Sequence, residues 1–150
     1  MKRIFCLALC IVLTLTLVIP SYAAEGGDVI FSEQTVLEDG TVITDEVIVI
    51  SSARSVSKTA VRRKTITRSD TVIGIIAFQA TFSYDGNSAY VTSKAVTQTD
   101  TYEGWSYKQT SFTSSGGTVT LEGKLTKLLI LNDPFTMTLT CDKNGNISAT

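Results

Sequence analysis

The stretch Phe78–Val96, FQATFSYDGNSAYVTSKAV, decides the fold. Two alternating runs flank Asp85-Gly86. Asp-Gly between alternating runs is the strongest short-range hairpin signal, because a type I′ turn requires positive φ at both central residues. With those two residues central, Tyr84 faces Asn87, Phe82 faces Ala89, Ala80 faces Val91, Phe78 faces Ser93 and Ile76 faces Ala95. Strand residues alternate between faces. One face therefore carries Ile76, Phe78, Ala80, Phe82, Ala89, Val91 and Ala95. The other carries Gln79, Thr81, Ser83, Ser88, Tyr90, Thr92 and Lys94. One apolar face and one wet face describe an antiparallel sheet packed on one side.

Working toward the end of the chain, the pattern continues as strands joined by short turns. Asp100 to Gly104 is a loop. Trp105–Ser114 places Trp105 and Tyr107 on one face and Phe112 on the other, a mismatch that predicts a bulge between them. Ser115-Gly116-Gly117 turns into Thr118–Leu131, and Asn132-Asp133-Pro134 is read as the next turn. Phe135, Met137, Leu139 and Cys141 then alternate with threonines, and a polar turn, Asp142 to Asn146, leads to a last short strand at Ile147.

Working back from the hairpin, Thr71–Tyr84 follows a turn at Ser69-Asp70, with Gly74 marking a bulge. Val61–Arg68 alternates Val61, Arg63, Thr65 and Thr67 against Arg62, Lys64, Ile66 and Arg68, and its basic content suits an edge strand. Ser51 to Ala60 is small and polar and is read as a boundary. Before it, Thr35-Val36-Leu37 and Thr41-Val42-Ile43 flank Glu38-Asp39-Gly40 as a small hairpin, and Val47 to Ile50 can add a strand. This segment either docks on the main sheet or stays mobile.

Residues 1 to 23 read as an export signal. Lys2 and Arg3 precede an apolar run from Ile4 to Ile19, Pro20 ends it, and Ser21-Tyr22-Ala23 has small residues at the cleavage positions. At 16 residues the run is short of the roughly 20 that span a bilayer. The expected organisation is a signal peptide (1–23), an acidic arm and linker (24–60) and a β-sandwich-like domain (61–150). The fold class is all-β, a small antiparallel sandwich or partly open barrel of six to eight strands. The expected location is secreted or extracellular, with association to the cell envelope as a variant.

Without Lys2 and Arg3, the 13 basic residues fall to 11 against 14 acids, a net charge of −3 that disfavours a nucleic-acid binder. The charges are segregated: 25–46 holds seven acids and no base, and 54–68 holds six bases and no acid. Such segments keep a chain soluble, or form a basic patch for an anionic wall or membrane. Among the cysteines, Cys6 and Cys10 lie in the signal, so Cys141 is a free thiol, either buried or bridging to another molecule.

Catalytic chemistry is sparsely provided. There is no histidine, the usual general base and commonest metal ligand. No Gly-x-Ser-x-Gly elbow or P-loop occurs. Asp70, Asp85, Asp133 and Asp142 sit in turns, leaving Glu103 and Glu122 as the acids for a glycosidase-type pair, with nothing linking them. Asp142-x-Asn144-x-Asn146 alternates oxygen ligands like a calcium loop but has its glycine one place off, and reads as a plain turn. No catalytic residue, metal or cofactor is assigned. Tyr102, Trp105 and Tyr107 form the candidate binding cluster, an aromatic platform of the kind that stacks on sugars, unless Trp105 is core.

FSYDGNSA (82–89), the single Trp105 after a Tyr-x-Gly loop, and LTCDKNGNIS (139–148) resemble a group of small secreted proteins of Gram-positive bacteria with no assigned function. Its members share a signal peptide, an acidic arm, a T-F-x-Y-N-G-x-S-A hairpin and a closing L-T-C-x-x-N-G. The similarity covers most of 33–148. In that group the hairpin often reads S-A-x-C, which aligns a cysteine with Val91; the resemblance implies that Val91→Cys forms a disulfide with Cys141. The function expected is non-enzymatic extracellular binding, with a cell wall, surface glycan or protein as partner. A secreted antimicrobial or membrane-acting β-protein, suggested by long amphipathic strands such as Thr118–Leu131, is the first alternative and a hydrolytic enzyme the second.

Overall fold

Alternation of apolar and polar residues carries through into nine antiparallel strands in a computed structural model that describes residues 27–50, 56–127 and 131–150. The export signal expected at 1–23 lies outside the described residues. The strands are β1 Asp28–Val36, β2 Val42–Ile50, β3 Ser57–Arg68, β4 Thr71–Tyr84, β5 Ala89–Thr101, β6 Trp105–Ser115, β7 Thr118–Lys127, β8 Leu131–Cys141 and β9 Ile147–Ala149. They form two meanders, a five-stranded sheet in the order β1 to β5 and a four-stranded sheet in the order β6 to β9. The all-β sandwich expected from the sequence is thus the observed architecture; the two sheets do not close into a barrel, and the described strands exceed the expected six to eight by one.

The core lies between the sheets. Ile76, Phe78, Ala80 and Phe82 of β4 are fully buried and meet Val119, Leu121, Met137 and Leu139 of the facing sheet. Phe78 packs edge-on against Phe112 at 5.6 Å between ring centroids. Each such large side chain contributes about 1.5–3 kcal/mol on burial. The bulge expected in β6 is present at Thr110, between the pairs Gln109–Gly123 and Ser111–Glu122. It returns Phe112 to the inner face shared by Trp105 and Tyr107. The bulge expected at Gly74 falls on its neighbour Ile73.

The organising hairpin forms with a different register. Tyr84 pairs with Ala89, so the loop has four residues, and only Gly86 of the central pair has positive φ (85°). The Asp85 carboxylate accepts hydrogen bonds from the backbone N–H groups of Asn87 (2.9 Å) and Ser88 (2.8 Å). This Asx turn replaces the two-residue I′ turn. The shift is by two residues, so both faces survive it near the turn: Ala89 and Val91 still point inward. Bulges at Thr92 and Thr97 then re-aim the rest of β5. Lys94 and Val96 turn inward and Ala95, expected on the apolar face, is exposed.

Two other expectations are corrected, and one left open is decided. Val61–Arg68 is not an edge: β3 is the middle strand of its sheet. Its charge is tolerated because Arg62 is neutralised inside the sandwich. The guanidinium donates to both Asp45 oxygens (3.0 and 2.8 Å) and to the carbonyls of Thr138 (2.6 Å) and Thr150 (2.5 Å). Lys64 stands 3.6 Å from the same carboxylate, and desolvation, followed by the Arg62 charge, holds its ammonium below the usual lysine range. Second, Asn132-Asp133-Pro134 is not a turn but part of β8, with Pro134 opposite Lys124. β9 pairs only with Leu139–Cys141, so Pro134 lies where β8 has one free side and a missing N–H is tolerated. Of the two alternatives left open for the acidic stretch, docking on the main sheet is the one observed. Val47, Ile48 and Val49 of β2 are buried, and β3 begins at Ser57 inside the expected boundary. The small hairpin at 35–43 is the turn end of β1 and β2, closed by Gly40 at φ 78°.

The two segments quoted for the resemblance meet at one corner of the sandwich. Gly86 N–H donates to the Lys143 carbonyl (2.9 Å), and Lys58 Nζ donates to the Gly145 carbonyl (2.7 Å). Gly145 lies so close to Tyr84 that an added Cβ would fall 2.4 Å from the ring. Val91 N–H and Cys141 N–H donate to the successive carbonyls of Gly116 and Gly117 at 3.0 and 2.8 Å. Three turns are therefore cross-bonded, which fixes the sheets relative to each other.

Candidate functional site

The outward face of the five-stranded sheet carries a depression of about 440 Å³ lined by Ile50, Val61, Arg63, Ala77, Gln79, Thr97 and Gln98. Register explains it. Arg63, Ala77 and Gln98 are successive neighbours across β3, β4 and β5, and Val61 and Gln79 are neighbours one step along. A small residue between two long ones leaves a hollow, and Ala77 forms its floor at 2% exposure. The β5 bulge at Thr97 adds a residue to the rim and increases local twist.

Arg63 distinguishes the hollow. Arg62, Lys64 and Arg68 each have an aspartate within 4 Å. Arg63 has no such carboxylate among the described residues, and Glu46, its neighbour on β2, does not form an ion pair with it. Its Nε is buried without a hydrogen-bond partner. Buried donors are normally satisfied, so the unpartnered Nε sets Arg63 apart from the other bases of β3. Gln79, Gln98 and Thr97 add amide and hydroxyl groups; Gln98 is oriented by donating to Asp100 at 2.7 Å. Ile50, Val61 and Ala77 supply an apolar base. A guanidinium fork binds carboxylate or phosphate in two parallel hydrogen bonds, and apolar ground beside amides suits a hydroxylated ring.

The expected aromatic platform is not assembled at the surface. Trp105 is 5% exposed and belongs to the core, with Lys127 Nζ 5.9 Å from its ring. Tyr107 stacks on Phe135 at 6.1 Å, and burial pushes its phenol above the usual tyrosine range. Of the three, only Tyr102 is exposed, beside a tight turn in which Glu103 and Gly104 both have positive φ. The indole is buried because Trp105 lies on the inward face of β6, and the Thr110 bulge brings Phe112 onto that same face.

Cys141 is free and buried at 3% exposure. Burial, then the Asp142 charge, pushes its thiol above the usual range, so its surroundings fit the core reading rather than a bridge to another molecule. The Asp142 oxygens are taken by donors of their own turn: Asn144 N–H, Asn146 N–H and the Asn146 amide. Among the described residues no group of three or more His, Cys, Asp or Glu converges as a metal site. Glu103 lies in the β5–β6 turn and Glu122 on the exposed face of β7. Nothing in the sequence announced Arg63. Its alternation partner Val61 hinted at an outward row, but the orphan state depends on which neighbours carry acids, and only the register sets that.

No family model matches the chain, and no curated protein matches it. Among solved structures it is similar to a crystal structure of a hypothetical protein from Listeria monocytogenes EGD-e. The two share 20% identity over 80% of this chain and 91% of that one, with a TM-score of 0.43. Among the described residues no helix is long and apolar enough to cross a membrane.

Proposed function

We propose that this is an exported, non-enzymatic binding protein that takes an anionic, hydroxyl-rich ligand in the hollow of the five-stranded sheet. The observation that carries the reading is Arg63 at that hollow, with a buried Nε that lacks a hydrogen-bond partner and no aspartate or glutamate within 4 Å among the described residues. Export is supported by the Lys2–Ala23 pattern. A binding rather than catalytic role is supported by a lining of amide, hydroxyl, aliphatic and guanidinium groups that offers neither a nucleophile with its base nor a carboxylate pair. The ligand class follows from the donors: a carboxylate or phosphate on Arg63, ring hydroxyls on Gln79, Gln98 and Thr97, and an apolar ring face on Val61 and Ala77. Acidic sugar chains of a cell surface have this chemistry.

The test is retention of the purified protein on isolated bacterial cell walls and on immobilised oligogalacturonate. Wild type is expected to be retained on both and released by salt. Arg63→Met, which keeps the apolar stem, is expected to flow through. Equal retention of Arg63→Met and wild type would refute the site.

A further inference from the structure

We infer that the free edge of β1 is a docking strand for an extended cationic peptide segment of another protein, which adds to the five-stranded sheet as a sixth strand. Among the described residues β1 pairs with β2 on one side only, and eight of its nine residues are exposed. Val29, Ile30 and Val36 are between 48% and 65% exposed. Natural sheets blunt such edges with charged side chains, lysine above all, with proline, with bulges or by very short strands. The sequence DVIFSEQTV contains neither lysine nor proline; a bulge at Ile30 and the acids Asp28 and Glu33 are the devices it carries, and the acids leave the edge open to a cationic strand. Two of the other three sheet ends, β9 and β5, are managed. β9 has three residues; on β5, Val91 N–H is bonded to Gly116 and Lys94 reaches across to the Phe112 carbonyl of β6 at 2.7 Å.

The occupant follows from charge. The β1–β2 hairpin carries Asp28, Glu33, Glu38, Asp39, Asp45 and Glu46 and no base. Asp39 is paired with Arg68, and Asp45 with Arg62 and Lys64. Asp28, Glu33, Glu38 and Glu46 have no ion pair among the described residues. A second copy of β1 would double these carboxylates along one seam. A strand alternating basic and aliphatic residues would complete the backbone ladder, cover Val29 and Val36 and offset the acids. Strand addition of this kind takes affinity from main-chain hydrogen bonds and specificity from side-chain charge.

The test uses a labelled, amidated ten-residue peptide of alternating lysine and valine, titrated by fluorescence anisotropy with the purified protein. Two comparison peptides isolate the terms: glutamate in place of lysine, and the lysine peptide N-methylated at alternate residues so that one edge cannot hydrogen-bond. The inference expects saturable binding of the first peptide and at least tenfold weaker binding of the other two. Asp28→Lys/Glu33→Lys, checked for an unchanged circular dichroism spectrum, is expected to weaken binding at least tenfold; Glu33→Gln serves if that variant misfolds and is expected to weaken it by a smaller factor. Arg63→Met is expected to bind the peptide like wild type, which separates this surface from the hollow. Equal binding of the N-methylated peptide, no binding of the lysine peptide, or a β1-dependent dimer that the peptide fails to dissociate would each overturn the inference.

Discussion

Asp45→Ala should destabilise the protein far more than Arg62→Met, although the two side chains form one ion pair. Their side chains are 13% and 5% exposed, and the bond is a two-pronged fork. The asymmetry follows from what each deletion leaves behind. Without Asp45, two cations, Arg62 and Lys64, remain inside the sandwich with no other Asp or Glu paired to them among the described residues. Leaving a buried charge uncompensated costs about 3–5 kcal/mol. Without Arg62, Asp45 keeps Lys64 at 3.6 Å. The carbonyls that Arg62 served also keep partners, because Thr138 and Thr150 exchange N–H to O bonds at 3.1 and 3.3 Å. The remaining loss is an exchange of hydrogen bonds for apolar packing, about 1–2 kcal/mol. The double variant should be more stable than Asp45→Ala alone. Urea unfolding at pH 7, with m-values checked for constancy, reads all three. Arg62→Met costing as much as Asp45→Ala, or a double variant weaker than both, would refute the reasoning.

Gly145→Ala should cost about 3 kcal/mol, from a positive-φ penalty plus overpacking against Tyr84, whereas Gly86→Ala, at φ 85° with open space around it, should cost about 1; equal thermal shifts would contradict this. Backbone N–H donors hold the Asp85 and Asp142 carboxyls below their ordinary value of 3.8. Their contribution is present above pH 3.8 and is lost as pH falls through the lower folded values, so Asp85→Asn and Asp142→Asn should each flatten the acid limb of a stability–pH curve. Val91→Cys should form a disulfide with Cys141, since their N–H groups bond adjacent carbonyls of one turn; two free thiols in the oxidised, unfolded variant would refute it.

Strand faces were legible in the sequence wherever alternation was long. Phe78 and Phe82 were placed inward and are fully buried, and the Trp105–Phe112 mismatch did mark a bulge. Loop length was not legible, because Asp85 serves an Asx turn as readily as a I′ turn and only competing contacts choose between them. Gly86 is bonded to Lys143, more than fifty residues away. Strand order was misread at β3 for a related reason. Basic residues suit an edge unless an acid meets them, and Asp45 comes from a neighbouring strand. Burial of Trp105 follows the core alternative that the sequence left open. The hollow around Arg63 belongs to the same class: it is a property of three paired strands, and no single stretch contains it.

The central claim is that Arg63 and its neighbours bind an anionic sugar. Its most direct test is a backbone amide NMR titration of the purified protein with oligogalacturonate. The account predicts shifts concentrated at Val61, Arg63, Ala77, Gln79 and Gln98, abolished in Arg63→Met. Shifts centred on Tyr102, or none at saturating ligand, would contradict it.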